Sequence, residues 1–526
     1  MMTRRGVAWR AGRACTCVIV GALWLLLALT GYAAEAPEPP RNAPVGAGVW
    51  NLWPLYDERD DPVDRMRVQS GLGPFLEFAR SPDDAVRELA IRPLFHWRQD
   101  RLARKLEWEV LYPFMSYSRD EEDRQFQFLQ ILNFREEGSQ AHAREDRFDL
   151  FPFYLSGRTE TGERYRAVVP FGGRALDRLG QDEIEFVLFP AYVRLVKRGV
   201  ETRYFPWPFV SVTRGEKRSG FRIIPLYGEE VREGVSETRF VLWPLFLHQR
   251  TGLDGDNPEE TLAILPFYAS QRSKTRESTT VLWPFFNHTV DRERQYEQWD
   301  LPWPLIQIAR GEGRTIHRFL PFFSVEERVL RNEFLLRELK SSDLVLLFPL
   351  YIRNREELPG SVKVRHRILW YLYSDTREEG RDGSTRRVDA WPFFRYTRDR
   401  EGAVEFQTLA LLEAFMPGNE RIERNYSPLW ALYTYRQSAR GDEVRSLLWN
   451  LVRHESTPEG EAVEILGPLL AYRERGEDVH LSLLGGALEY EVRHGIRTMR
   501  VFRNVALTWT AVPQRIAVLD PAGGVR

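Results

Sequence analysis

Phe240-Val241-Leu242-Trp243-Pro244-Leu245-Phe246-Leu247-His248 is the stretch that decides the fold. Charged residues flank it on both sides, and degraded copies recur from near the N-terminus to the C-terminal tail. Close copies are Leu-Ala-Ile-Leu-Pro-Phe-Tyr at 262–268 and Val-Leu-Trp-Pro-Phe-Phe at 281–286. Because residue type, position in the motif and flanking charge recur together, the sequence indicates a repeat protein.

The proline at the centre of the motif gives the repeat length. Prolines fall at positions 152, 170, 190, 208, 225, 244, 266, 284, 304 and 321, so nine steps cover 169 residues, about 19 each. A helix pair needs about 34 residues and a propeller blade about 40–45, so both are excluded. The step fits one long strand with a turn, or two short strands broken at the proline.

The composition of the repeat favours strands. The motif cores are rich in aromatic and β-branched residues, whereas segments such as 213–220 and 273–278 are polar and contain Gly or Ser. Strands adjacent in sequence usually pair. We therefore predict an all-β fold, a long antiparallel meander of repeats of about 19–20 residues with a bend at a central proline, which forms a large coiled sheet, tube or barrel.

The central motif is apolar on both alternating faces of a strand. Val241 and Leu247 fall on one face, and Phe240 and Phe246 fall on the other. Such strands need cover on both sides. Proline lacks the N–H that a central strand requires, so we expect a bend at Pro244, with aromatic rings packed on the concave side of the sheet.

Two architectures compete. An outer-membrane barrel of about 21–23 strands needs wall strands of about 9–11 residues, apolar outside and polar inside. The alternative is an extracytoplasmic β-repeat structure, an open superhelix or a closed tube, with a continuous aromatic core. The short, two-faced motif with its central proline favours the second.

Two segments interrupt the motif. Residues 81–84, Ser-Pro-Asp-Asp, fit a helix N-terminus or a type I turn, and the motif copy that follows favours a hairpin. The longer gap between Pro321 and Pro349 contains Ser324-Val-Glu-Glu327, which fits a capping box. That pattern leaves a short helix and an extended hairpin equally open.

The N-terminus has the features of an export signal. Arginines at 4, 5, 10 and 13 precede an apolar run at 17–29, and Ala34-Glu35-Ala36 offers a cleavage site. The alternative is an uncleaved membrane anchor, for which the run is short. We predict a signal peptide at 1–36, a Pro-rich linker at 37–49, a single β-repeat domain at 50–510 and a tail at 511–526. The predicted location is the periplasm or the outer membrane.

Composition limits the chemistry. The 74 Lys and Arg residues nearly balance the 75 Asp and Glu residues, so no electrostatic footprint for nucleic acid exists. Both cysteines, Cys15 and Cys17, lie in the predicted signal, so we expect no disulfide and no thiol chemistry in the mature chain.

No catalytic motif is present in the sequence. The nine histidines form no metal-binding pattern, and His248 and His288, which follow the motif at the same offset, are predicted to be structural strand-end residues. The acidic segment 254–260 departs from the calcium-loop pattern and is predicted to be a solvated turn. We expect no catalytic residue, no cofactor and no metal.

The recurring Trp-Pro pairs are the one repeated chemical feature. They either stack on sugar rings or lipid, or act as staples of the core, and their position inside the apolar run favours the second interpretation. The markers of the repeat are Trp53, Pro54, Trp207, Pro208, Trp243, Pro244, Trp283, Pro284, Trp303, Pro304, Trp391 and Pro392.

The chain resembles a group of uncharacterised exported bacterial proteins with β-repeats of the Trp-Pro-Phe and Pro-Leu-Phe type. The motifs that carry the resemblance are Pro-Leu-Phe at 244–246, Trp-Pro-Phe-Phe at 283–286 and Leu-Leu-Gly-Gly at 483–486. The resemblance covers most of residues 50–505. It implies export and a repeat fold, and it transfers no activity and no functional residue.

These features predict a non-enzymatic structural or binding scaffold of the cell envelope. Its expected partners are the outer membrane, a glycan or another envelope protein, and not nucleic acid. One alternative is an integral outer-membrane β-barrel that acts as a channel. A second alternative is a carbohydrate-active enzyme whose carboxylates come from distant repeats.

Overall fold

The computed structural model describes residues 51–138, 145–332, 337–502 and 505–510. These residues all belong to one structural unit, Trp50–Arg526. The predicted signal, linker and tail lie outside the described residues.

The described chain forms 46 strands in one sheet, and each strand pairs antiparallel with the next in sequence. The first half comprises β1 (Asn51–Leu52), β2 (Tyr56–Asp61), β3 (Met66–Gly71), β4 (Leu76–Arg80), β5 (Val86–Ile91), β6 (Phe95–Asp100), β7 (Lys105–Val110), β8 (Met115–Asp120), β9 (Asp123–Phe128), β10 (Leu132–Glu137), β11 (Glu145–Leu150), β12 (Tyr154–Arg158), β13 (Arg164–Val168), β14 (Gly172–Arg178), β15 (Gln181–Val187), β16 (Tyr192–Lys197), β17 (Val200–Tyr204), β18 (Val210–Gly215), β19 (Arg218–Ile223), β20 (Tyr227–Arg232), β21 (Ser236–Val241), β22 (Phe246–Thr251) and β23 (Glu259–Ile264).

The second half comprises β24 (Tyr268–Arg272), β25 (Arg276–Val281), β26 (Phe286–Asp291), β27 (Tyr296–Asp300), β28 (Ile306–Gly311), β29 (Arg314–Phe319), β30 (Phe323–Asn332), β31 (Arg337–Leu346), β32 (Tyr351–Leu358), β33 (Ser361–Ile368), β34 (Tyr373–Gly380), β35 (Gly383–Ala390), β36 (Phe394–Arg398), β37 (Val404–Thr408), β38 (Tyr433–Gln437), β39 (Glu443–Leu447), β40 (Val452–Thr457), β41 (Gly460–Ile465), β42 (Leu470–Arg475), β43 (Asp478–Leu483), β44 (Leu488–Arg493), β45 (Ile496–Val501) and β46 (Val505–Thr510).

Helices are few in the described part of the chain. Two short α-helices, α1 (Glu420–Asn425) and α2 (Ser427–Trp430), lie between β37 and β38. Two 3-10 turns occupy Gly467–Leu469 and Leu484–Gly486. The predicted all-β antiparallel meander is confirmed, and the sheet is not closed by pairing of its first and last strands.

The two interrupted segments are hairpins. The connection at 81–85 joins β4 to β5, as predicted. The capping-box pattern at Ser324 lies inside β30, which pairs with β31 over ten residues in each strand, so the extended hairpin is the correct alternative.

Each repeat contains two strands, and the proline lies in the turn between them. Pro244 follows a cis peptide bond in the connection 242–245, and the chain reverses there. Val241 therefore pairs with Phe246, and Phe240 pairs with Leu247. The expected bend is a complete hairpin turn, because a residue without an N–H fits a turn better than a paired strand.

Because consecutive strands are antiparallel, alternate connections lie at opposite edges of the sheet. The connections that follow odd-numbered strands carry the apolar motifs and form one edge, which we call the apolar rim. It comprises residues 53–55, 72–75, 92–94, 111–114, 129–131, 151–153, 169–171, 188–191, 205–209, 224–226, 242–245, 265–267, 282–285, 301–305, 320–322, 347–350, 369–372, 391–393, 409–432, 448–451, 466–469, 484–487 and 502.

The opposite edge is polar. We call it the polar rim, and its described residues are 62–65, 81–85, 101–104, 121–122, 138, 159–163, 179–180, 198–199, 216–217, 233–235, 252–258, 273–275, 292–295, 312–313, 359–360, 381–382, 399–403, 438–442, 458–459, 476–477 and 494–495. Charged residues and Gly dominate these segments. Leu102 and Leu179 are highly exposed apolar residues on this edge, at 80% and 87%.

Backbone hydrogen bonds join one turn of the apolar rim to the next. Leu242 N donates to Leu226 O at 2.8 Å, and Trp243 N donates to Pro225 O at 2.6 Å. The same pair of bonds recurs from Leu282 to Phe267 O, at 2.9 Å, and from Trp283 to the carbonyl of Pro266, at 2.7 Å. Hydrogen bonds thus link neighbouring turns of the rim. They provide partners for backbone N–H and C=O groups that in most hairpin turns are hydrogen-bonded to water.

One face of the sheet keeps its identity along the whole meander. Register partners lead from Asp57 through Ser70 and Glu77 at one end to Ser446 and Arg453 at the other, without a change of face. We call this the inward face. Around β13–β16, two small apolar clusters are centred on Tyr165, Ala167, Ala175, Leu176, Phe186 and Val193.

Gly173 lies beneath the second cluster, where two strands approach closely. A Cβ at this position would lie 2.3 Å from Ala167 Cα and 2.4 Å from Arg166 O, and the φ angle is +147°. Neither neighbour is a mobile side-chain tip, so only glycine fits.

We expect Gly173→Ala to reduce the free energy of local opening of β13–β15 by about 2–3 kcal/mol, because the added methyl overpacks a backbone contact. Hydrogen exchange of the amides in these strands measures this change. The control is Gly255→Ala in the polar rim, where the nearest atom to a Cβ is 3.7 Å away. Equal protection in the two variants would contradict the steric explanation.

Candidate functional site

The apolar rim exposes large apolar side chains along the edge of the sheet. The exposed fraction is 40% for Trp207, 53% for Trp243, 51% for Trp283 and 43% for Trp303. Leucine and phenylalanine side chains beside them are similarly exposed. Every predicted Trp-Pro marker lies in this rim. The interpretation of these pairs as core staples is therefore wrong for the four exposed tryptophans.

The other two tryptophans of the marker set are half-buried and hydrogen-bonded. Trp53 Nε1 donates to Trp449 O at 2.8 Å, and Trp391 Nε1 donates to Leu411 O at 3.0 Å. Both bonds connect one rim segment to another. These two rings stabilise contacts between turns, whereas the exposed four are open to solvent.

At the hairpin of β21 and β22, the outward face is apolar only next to the rim. In β21, Val241 is exposed beside the rim, whereas Arg239 and Glu237 follow on the same face. In β22, Phe246 is followed by His248 and then by charged residues. Many of the rings predicted on the concave side lie instead at the edge and on the outward face, because the motif residues fall in and beside a turn, whereas Phe240 and Phe186 are buried on the inward face.

The predicted strand-end histidines lie on this outward face. His248 Nε2 is 2.8 Å from Glu260 Oε1, and His288 Nε2 is 3.1 Å from Glu297 Oε1. His288 also stacks on Trp299 with a ring separation of 3.7 Å. Each histidine is a structural cross-strand partner, near the start of its strand.

A second feature is the junction between β2–β7 and β35–β40, two parts of the sheet that are distant in sequence. Strands β2 and β38 are 36 steps apart, about 170 Å along the sheet at the usual interstrand spacing. Asp61 of β2 nevertheless forms an ion pair with Arg436 of β38. The sheet therefore curves until the inward faces of β2 and β38 meet, and β39–β46 follow beyond this contact.

Asp61 is the centre of the junction. Its carboxylate pairs with Arg436 and lies 3.5 Å from Arg453 Nη2, while its side chain is 2% exposed. Burial opposes ionisation, but Arg436, Arg453 and Arg59 outweigh it and hold the pKa of Asp61 well below its ordinary value. Burial raises the pKa of the neighbouring Asp64, which shares Arg436.

The long rim segment 409–432, which contains α1 and α2, also contacts the first strands. Glu109 of β7 is buried and accepts from Arg424 Nη2 at 3.2 Å and from Asn425. Arg421 Nε lies 3.1 Å from the same carboxylate, and Tyr426 donates its hydroxyl to Tyr112 O at 2.5 Å. The segment thus fixes the first strands from the inside.

The same segment is fixed to β35–β37. Buried Glu413 accepts from Gln407 Nε2 at 3.3 Å and from Trp430 Nε1 at 3.1 Å. Glu423 lies 3.0 Å from both Arg387 Nη1 and Arg395 Nη1. Segment 409–432 therefore joins β7 to β35–β37 across the inside of the curved sheet.

A cavity of about 480 Å³ lies within the junction. The inward faces of β2–β6 and β36–β40 form its walls, and α1 and α2 form another side. Its lining is strongly charged and includes both Arg395 and Arg453, which are buried.

Sequence reasoning did not predict the junction. The one available signal was the gap from Pro392 to Pro428, about twice the usual step and containing Asn419-Glu420-Arg421-Ile422-Glu423, a sequence with helix-capping character. Asn419 does cap α1, and it accepts from Ile422 N. The ion-pair partners carry no local signature, because they are distant in sequence.

The other candidates from the sequence form no recognisable site in the described residues. The acidic segment 254–260 spans the polar rim and the start of β23. Within the described ranges, no group of three or more His, Cys, Asp or Glu side chains is arranged to hold a metal ion. The described helices are all too short or too polar to cross a bilayer.

Comparison with known proteins gives no family assignment. No protein-family model matches the chain, and no curated protein matches it.

We expect Asp61→Asn to destabilise the junction by about 3 kcal/mol, because it leaves the buried Arg453 and the partly buried Arg436 with one fewer carboxylate. The measurement is hydrogen exchange in β2, β38 and β40. Asp60→Asn is the control on the opposite face of β2, where an exposed pair with Arg67 contributes about 0–1 kcal/mol. Equal effects of the two substitutions would show that Asp61 does not carry the junction.

The contribution of Asp61 should also depend on pH. Since its pKa is lower in the folded state, its stabilisation is complete above the ordinary pKa and is lost as pH falls toward the folded value. The stability difference between wild type and Asp61→Asn should therefore be constant from pH 7 to about 5 and shrink below about pH 4. Denaturant unfolding at each pH measures it, and a constant difference down to pH 2.5 would contradict the assignment.

Proposed function

We propose that the protein is a non-enzymatic scaffold of the cell envelope that rests on a lipid surface through its apolar rim. The observation that carries the proposal is the continuous row of exposed apolar turns on one edge of the sheet, opposite a polar edge. Apolar patches of this extent mark interaction surfaces rather than ordinary solvent-exposed surface.

The backbone of the rim is suited to an apolar environment. Hydrocarbon offers no hydrogen bonds, so irregular backbone enters it only where its polar groups have internal partners. The turn-to-turn bonds, such as Trp283 N to Pro266 O at 2.7 Å, supply many of these partners. Proline at the centre of the turn removes one further donor that would need a partner.

The depth of the apolar zone favours shallow insertion. At the β21–β22 hairpin, the rim turn and the first outward residues, Val241 and Phe246, span about two residues, or about 7 Å. Arg239 and Glu237 follow on the outward face of β21, so deeper insertion would bury charge. Interfacial elements insert about 5–10 Å into the boundary of headgroups and acyl chains, which matches this zone.

The side chains of the rim also match a membrane interface. Tryptophan is enriched at the boundary between lipid and water, where its ring is buried and its N–H remains hydrated. Trp207, Trp243, Trp283 and Trp303 lie at this level in adjacent or nearby turns. A glycan would need stacking faces with polar groups beside them, and the rim turns offer leucine, phenylalanine and proline instead.

The test is co-sedimentation of the full-length chain with phosphatidylcholine vesicles. We expect saturable binding, and quenching of tryptophan fluorescence by lipids brominated near the headgroup. The triple substitution Trp243→Ser, Trp283→Ser and Trp303→Ser should weaken partitioning about a hundredfold, if each half-exposed ring contributes about 1 kcal/mol.

The matched control is Leu102→Ser with Leu179→Ser, which removes exposed apolar side chains from the polar rim. Circular dichroism checks that all variants retain their strands. A control that loses as much binding as the rim variant would indicate nonspecific adsorption. A wild-type chain that does not sediment with vesicles would overturn the proposal.

A further inference from the structure

We propose that the junction cavity binds a phosphate group through its buried arginines. Seven arginines and six carboxylates line the cavity, so the lining has an excess of one positive charge. Its volume of about 480 Å³ accommodates a phosphate group with associated water. Arg59, Arg395 and Arg453 lie on the inward face rather than in the rim, so the proposed ligand contacts differ from those of the rim with lipid.

The hydrogen bonding of the arginines indicates a missing acceptor. Buried donors that make no hydrogen bond within the described structure include Nε of Arg59, Nε and Nη1 of Arg395, Nε of Arg424 and Nη2 of Arg453. All four residues line the same cavity. Buried donors nearly always have partners, so this concentration points to a ligand with several acceptor oxygens.

The carboxylates present do not fully satisfy these groups. Nη1 of Arg395 lies 3.0 Å from Glu423 Oε1, and Nη2 of Arg453 lies 3.5 Å from Asp61 Oδ2, but neither contact is aligned as a hydrogen bond. The side chains of Arg395 and Arg453 are each only 4% exposed. Water reaches such groups poorly, and the planar guanidinium matches phosphate oxygens in geometry.

The position of the cavity allows two sources of phosphate. Gly73, Pro74 and Pro428 of the apolar rim contribute to its lining, so the cavity opens close to the proposed lipid surface. A lipid headgroup and a free phosphate ion would present the same oxygens to Arg395 and Arg453. The experiment distinguishes them by offering each separately.

The first measurement is calorimetric titration of the full-length chain with inorganic phosphate. The second compares co-sedimentation with vesicles of phosphatidylcholine alone and with vesicles that also contain phosphatidylglycerol. Thr434→Glu adds a carboxylate to the cavity wall without removing an ion pair, and Arg98→Gln removes a lining charge that has no ion pair in the described structure. Thr261→Glu places the same carboxylate on the inward face of β23, far from the cavity in sequence.

We expect Thr434→Glu to weaken binding at least about tenfold and Arg98→Gln about threefold, with Thr261→Glu unchanged. A free-phosphate site shows these changes in calorimetry. A headgroup site shows them only in the extra binding to phosphatidylglycerol vesicles. The choline cation of phosphatidylcholine offsets the charge of its phosphodiester and would meet the cavity arginines, so binding to phosphatidylcholine alone reports on the rim and should be equal in all three variants.

Two results would overturn the assignment. One is the absence both of phosphate binding and of a preference for phosphatidylglycerol in the wild type. The other is equal weakening by Thr434→Glu and Thr261→Glu. Loss of binding to neutral vesicles with phosphate binding retained would overturn the rim proposal alone, so the two failures are distinguishable.

Discussion

Hydrogen bonding between each strand and its neighbours in sequence is the interaction on which this structure depends. The described part of the sheet has few layers packed over it, and its apolar clusters, such as that around Phe186, are small. Stability is therefore distributed over local pairings, as in other repeat arrays. The turn-to-turn hydrogen bonds of the apolar rim continue this backbone pairing beyond the strand ends, so neighbouring turns are hydrogen-bonded to each other as neighbouring strands are.

The sequence predicts this part well, because it is local. The spacing of prolines, the polar segments and the aromatic cores specify a meander without any knowledge of distant contacts. The error concerned position within the repeat. A seven-residue apolar core such as that around Pro244 looks like a two-faced strand, whereas a turn in its middle directs both halves to the same edge. The alternation of side chains between two faces assigns each residue to a face only when the ends of the strand are known.

The junction could not be predicted for the opposite reason. Asp61 and Arg436 come together only because small curvatures add over dozens of strands, and no local pattern encodes that sum. Charged residues on the inward face look like those of any solvated strand. The segment 409–432 is the longest connection of the described apolar rim, and its irregularity coincides with the place where long-range contacts replace local ones.

The alternation of the two edges constrains how such a chain can change in length. Insertion or removal of one strand would transfer every later turn to the opposite edge, placing tryptophan and phenylalanine among the charged turns. A complete hairpin can be gained or lost without this effect. Duplication in units of two strands is thus the only neutral route to growth, which explains why the repeat of about 19 residues is a pair of strands rather than one.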